Sequence, residues 1–125
     1  MGYSTDFVGE FRFSRGLTLA EKVILDDVNE RDWRYDKSRP VEDAYWCQWI
    51  PNRQGTALEW DGGEKFYNYI EWLKWLIERY FKPWQISLNG EVLWQGEDRE
   101  DMGKIIVKDN IVTIKHVRIT YEEVD

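Results

Sequence analysis

The spacing of the apolar residues changes at Pro83, and that change bounds the fold more tightly than any other feature of the chain. With about 100° of rotation per residue and Leu73 as origin, Phe66, Tyr69, Ile70, Leu76, Ile77 and Tyr80 fall within about 60° of Leu73. Glu71, Lys74, Glu78 and Lys82 lie well away, and the steps Lys74 to Glu78 and Glu78 to Lys82 pair opposite charges one turn apart. This spacing predicts a helix over residues 64–84 that ends at Pro83, because proline cannot extend the hydrogen-bond ladder and restricts the residue before it. Beyond it the apolar residues alternate in the two-residue period of strands.

Asn89-Gly90 divides Gln85-Ile86-Ser87-Leu88 from Glu91-Val92-Leu93-Trp94, and both residues tolerate the positive φ of a type I′ turn, so a hairpin is predicted there. A second hairpin is predicted around Asp109-Asn110, with Ile105, Val107, Val112 and Ile114 on its buried face. Residues 116–125 either add an edge strand or fray into an acidic tail.

Upstream, residues 3–13 alternate through Phe7, Gly9, Phe11 and Phe13 as a first strand. Thr18 and Glu21 have the spacing of a capping box, and Leu19, Val23, Ile24 and Val28 follow at helical intervals. Residues 29–44 show no clean period around Trp33, Tyr35 and Pro40 and read as a loop. The segments 45–50 and 56–60 are rich in strand formers and flank Pro51-Asn52 and Gln54-Gly55, a hairpin pattern. The order strand, helix, strand, strand, helix, strand predicts an α+β domain over residues 1–125. Its expected form is a two-layer, ferredoxin-like βαββαβ antiparallel sheet with both helices on one face, extended by one or two C-terminal hairpins.

Seventeen Lys and Arg against 24 Asp and Glu give a net charge of −7, the wrong sign for neutralising phosphates, so nucleic acid is not the expected partner. No stretch approaches the length of a membrane span, and the opening lacks the layout of a signal peptide, so a cytoplasmic protein is expected. Cys47 and His116 are too few for a zinc site. Glu97, Asp98, Glu100 and Asp101 do not follow the order of a calcium loop, so no metal or other cofactor is expected. His116 and Cys47 are far apart in sequence and belong to no nucleophile motif, so no catalytic set is expected and the chain does not read as an enzyme.

Eight tryptophans are the remaining unusual feature. On the helical wheel Trp75 lies about 160° from Leu73, beside Asn68 and Arg79, with Trp72 on the flank at about 100°. Trp72, Trp75, Arg79 and Asn68 are therefore the candidate partner-binding patch, built from residue types enriched at interface hot spots. Trp94 shares the polar face of its predicted hairpin with Gln85 and Ser87. Gly62 and Gly63, just before the predicted helix, could hold an anion on free backbone N–H groups with Lys65 beside them. Gly62, Gly63, Lys65 and Trp94 are the candidate ligand-binding residues.

The strings Trp46-Cys47-Gln48-Trp49-Ile50-Pro51, Gly55-Thr56-Ala57-Leu58-Glu59-Trp60-Asp61-Gly62-Gly63-Glu64-Lys65-Phe66-Tyr67-Asn68-Tyr69 and Leu88-Asn89-Gly90-Glu91 through Trp94-Gln95-Gly96-Glu97-Asp98 resemble a family of small uncharacterised proteins encoded by bacteriophages and bacteria. The opening Met1-Gly2-Tyr3 and the helix start Leu17-Thr18-Leu19-Ala20-Glu21 are similar to it as well. This chain departs from the pattern in a shorter segment before Trp46 and in Gly16 where a proline is usual. The resemblance implies a phage-related protein and carries no assigned activity. Together with the aromatic patch it predicts a non-enzymatic module that captures a host protein stoichiometrically or associates with itself. The alternative is a small-ligand binder that stacks a nucleotide or planar metabolite on its aromatic rings and holds the charged end at Gly62-Gly63.

Overall fold

The computed structural model describes residues 2–125. Among these, six strands form one sheet: β1 (Asp6–Phe13), β2 (Trp49–Pro51), β3 (Ala57–Trp60), β4 (Leu88–Gln95), β5 (Met102–Lys108) and β6 (Ile111–His116). Helix α1 (Leu19–Glu30) follows β1, and α2 (Tyr69–Leu76) continues into a π-helical turn at Ile77–Phe81. The sheet order is β2-β3-β1-β4-β5-β6, with every neighbouring pair antiparallel. The architecture is thus α+β.

The alternation of β1 sets up the two faces. Phe7, Phe11 and Phe13 are buried, and both helices bring their buried residues, Leu25 and Val28 from α1 and Trp72, Leu73 and Leu76 from α2, into the same core. Val8, Glu10 and Arg12 point the other way and are exposed. Edge-to-face contacts knit the core, with Phe7 at 5.4 Å from Trp49 and 5.0 Å from Tyr69, and Phe13 at 5.3 Å from Phe81.

Asn89-Gly90 is not a turn. β4 runs through it as one strand, paired with β1 from Asp6 opposite Gln95 to Phe13 opposite Leu88. Glycine is required here for close approach: a Cβ on Gly90 (φ +146°) would lie 2.6 Å from the Glu10 carbonyl oxygen, and one on Gly9 (φ +116°) would lie 2.5 Å from that of Glu91. Asn89 serves the neighbouring turn instead, its side-chain oxygen accepting from the Asp109 N–H at 2.9 Å. The β4–β5 connection is made by the acidic segment, closed by Gly96 N–H donating to the Asp101 carbonyl at 2.7 Å. The β5–β6 hairpin forms where expected, with Asp109 and Asn110 at φ 47° and 68°. Ile105 faces Ile114 and Val107 faces Val112, but only the β5 residues are buried, with Val112 half-buried and Ile114 exposed because β6 is the sheet edge. After His116 the chain leaves regular structure, and no further edge strand forms.

The second helix starts later than its apolar spacing implies. Lys65 and Asn68 adopt left-handed φ of 59° and 60°, which a helix does not admit, so Phe66 enters the core from irregular backbone and α2 opens at Tyr69. At its end Lys82 N–H donates to the Ile77 carbonyl at 2.9 Å, a five-residue span. The wide turn advances the phase by one residue, so Phe81 is fully buried and Tyr80, expected on the stripe, is only half-buried.

α1 is also rotated from its expected phase. Leu19, Val23 and Ile24 are exposed, while Leu25, Val28 and the stem of Glu21 are buried. The capping box forms and is anchored from outside the helix by Arg15. Glu21 N–H donates to Thr18 Oγ1 at 3.1 Å, Thr18 N–H donates to Glu21 Oε1 at 2.8 Å, and both Glu21 oxygens accept from the Arg15 guanidinium at 2.8 Å. The Arg15 contact, then its backbone and hydroxyl partners, hold the Glu21 carboxyl down at about 2 against an ordinary 4.5. A carboxyl depressed in the folded state contributes stability that is complete above pH 4.5 and is lost as the pH falls toward 2. Arg15 remains partly in water, so Glu21→Gln is expected to cost about 1–3 kcal/mol at neutral pH. That variant should show a flatter stability profile from pH 4.5 down to 2, read by urea unfolding at each pH.

Candidate binding surface

Trp72, Trp75, Arg79 and Asn68 do not form an exposed aromatic patch. Trp72 is fully buried, against Trp33 at 5.9 Å and Trp75 at 5.2 Å. Trp75 is partly buried, because the irregular segment after α1 folds back over it. Trp33 inserts into the core 5.1 Å from Trp75, and the Ser38 carbonyl accepts from Trp75 Nε1 at 2.7 Å. Arg79 stacks its guanidinium 4.9 Å from the Trp75 ring, and Asn68 Nδ2 reaches Asp43 at 3.3 Å. The loop reading of residues 29–44 thus missed a cover with its own core anchor, Trp33, whose Nε1 donates to the Val28 carbonyl at 3.0 Å.

The candidate ligand residues are likewise separated. Gly62 and Gly63 do not open a helix, since α2 begins at Tyr69, and the Gly63 N–H is taken by Asp61 Oδ1 at 2.7 Å. Trp94 is buried on the helix-bearing face, against His116 at 5.2 Å, and donates from Nε1 to Asp101 Oδ1 at 3.0 Å. Asp101 Oδ2 accepts from the Tyr3 hydroxyl at 2.7 Å, and that hydroxyl accepts from the Asp98 N–H at 3.0 Å. The acidic turn is therefore bound to the N-terminal segment by its own side chains. Lys65 lines a separate cleft of about 270 Å³ with Tyr45, Trp46 and Tyr67, rings that are each exposed by a third to a half.

The larger hollow, about 630 Å³, lies on the opposite side of the sheet from the helices. Its floor is Val8 of β1 directly opposite Leu93 of β4, which are 69% and 52% exposed, with Met102 of β5 and Val117 beside them. Asp6, Lys104 and Lys115 supply its charged margin. Sequence reasoning missed these residues, although a signal was present: Val8, Leu93 and Ile106 are apolar at the outward positions of neighbouring strands, where alternation calls for polar side chains.

His116 lines the larger hollow, whereas Cys47 and Tyr69 line neither surface. Burial pushes the Cys47 thiol up to about 12, so it stays protonated at neutral pH, and burial likewise raises the Tyr69 hydroxyl to about 12. His116 is exposed at the end of β6. Among the described residues no three His, Cys, Asp or Glu side chains come together as a metal-ligand set. Among the described residues no helix is long and apolar enough to cross a membrane. What the geometry offers is apolar recognition on the open sheet face and aromatic stacking at the smaller cleft. Comparison with protein-family models, with curated proteins and with solved structures found no match to this chain.

Proposed function

We propose that this protein is a non-enzymatic binding module that seats an apolar segment of a protein partner on the open face of its sheet. The observation that carries the reading is the hollow floored by Val8 and Leu93 on a face without a helix. Contiguous apolar surface rimmed by polar groups marks an interaction site, because leaving it in water is unfavourable. The resemblance to phage and bacterial proteins supports a phage-related role, with a host cytoplasmic protein as the captured partner. The fold is read as ferredoxin-like with an added β5–β6 hairpin. The element order through β4 and the placement of β1 between β3 and β4 support that reading.

Leu93→Asp places a charge in the hollow without touching the core. It is expected to leave stability within about 1 kcal/mol while abolishing capture of a stoichiometric partner from bacterial lysate. Capture undiminished by Leu93→Asp would refute the site. The second reading, a small planar ligand stacked between Tyr45, Trp46 and Tyr67 with Lys65 at its charged end, is favoured by the exposure of those rings. A rise in melting temperature with nucleotides that is lost on Trp46→Ala would favour it instead.

A further inference from the structure

The sheet edge at β6 is a second unpartnered feature, separate from the open face. β6 is paired with β5 on one side only, and its pairing extends one residue further through Val117 N–H to the Met102 carbonyl at 2.8 Å. Among the described residues, 118–125 make no hydrogen bond to the rest of the chain, and half of them, Ile119, Thr120, Tyr121 and Val124, are strand formers. Tyr121 and Val124 are 81% and 87% exposed. Ile119 is half-buried and the other residues of 118–125 are exposed, and a free edge continued by such a segment is a template for another strand.

We infer that this edge pairs antiparallel with the same segment of a second copy, about a two-fold axis at Ile119. The sequence supplies the complementarity. An axis perpendicular to the sheet places residues on the same face opposite each other only when it passes through a residue position. Centred on Ile119, the pairing sets Lys115 opposite Glu123, Val117 opposite Tyr121, Ile114 opposite Val124 and Ile119 opposite itself. Lys115 meets an acid, the apolar residues meet apolar ones and Arg118 falls opposite Thr120, each pair twice by symmetry. Centring on Arg118 would oppose two guanidinium groups, and centring on Thr120 would set Val117 against Glu123. The partner is therefore a second copy rather than an unrelated strand. Val117 already lines the open-face hollow, so Tyr121 and Ile119 of the pair would carry that apolar surface across the axis.

Analytical ultracentrifugation of the full chain should find a dimer, and Lys115→Glu should weaken it at least about tenfold, with Lys115→Glu/Glu123→Lys restoring it. Ile119→Cys should cross-link two copies under mild oxidation, because opposed residues of antiparallel strands lie within disulfide reach. Cys47 is buried and does not compete. A monomer at all concentrations, no rescue by the double variant, or cross-linking through Thr120→Cys in preference to Ile119→Cys would each overturn the inference. Circular dichroism on every variant separates lost pairing from lost folding. Leu93→Asp should leave the dimer intact, so failure here is distinguishable from failure of the open-face site.

Discussion

Trp72→Ala is expected to destabilise the protein by about 3–5 kcal/mol, the cost of losing a fully buried aromatic side chain and leaving a cavity behind. Its ring packs against both Trp33, which anchors the segment after α1, and Trp75, and those two also touch each other, so truncation also loosens the cover over α2. The indole Nε1 is buried without a hydrogen-bond partner. Trp72→Phe removes that orphaned donor while keeping much of the apolar area, and should cost less than about 2 kcal/mol. Urea midpoints for the two variants check this. A loss under about 1 kcal/mol for Trp72→Ala would mean the ring faces water, as its position on the flank of the helical wheel implies.

The second large effect is at Gly90. Any Cβ there would lie 2.6 Å from the Glu10 carbonyl oxygen, a backbone atom held by the β1–β4 ladder, and φ is +146°. Gly90→Ala is expected to cost about 2–4 kcal/mol through separation of the two central strands. Gly90→Asn distinguishes this from a hairpin turn. Asparagine is well tolerated in a type I′ turn, and here it should destabilise at least as much as alanine. A near-neutral Gly90→Asn, by thermal or urea unfolding, would contradict the strand.

These two positions show where the sequence was legible. Regular periods with nothing to interrupt them were readable: the alternation of β1, the Asp109-Asn110 hairpin and the centre of α2 at Leu73. The capping box was readable because its chemistry is local, although the Arg15 contact that anchors it comes from outside the helix. Asn89-Gly90 misled because glycine has two uses, positive φ in a turn and absence of Cβ between strands, and only the partner strand decides which applies. Trp75 misled because its cover is contributed by a segment with no period of its own, joined through Trp33 and the Ser38 carbonyl. The extra residue of the π-helical turn left no mark on the wheel, which assumes one angle throughout.

The candidate surface followed the same logic. Tryptophans drew attention by size, and size is what placed Trp72 and Trp94 inside. The open-face site is made of smaller aliphatic residues at positions that alternation assigns to water. A single outward Val8 or Leu93 is unremarkable in one strand and becomes a floor only when the register sets them opposite each other.

Methyl-detected NMR tests recognition through the open sheet face most directly. On titration with the captured partner, the methyl signals of Val8, Leu93 and Val117 should shift, while those of Ile105 and Val107 on the buried face stay nearly unmoved. Unmoved signals from Val8 and Leu93, with shifts confined to residues around Tyr45, Trp46 and Tyr67, would contradict it.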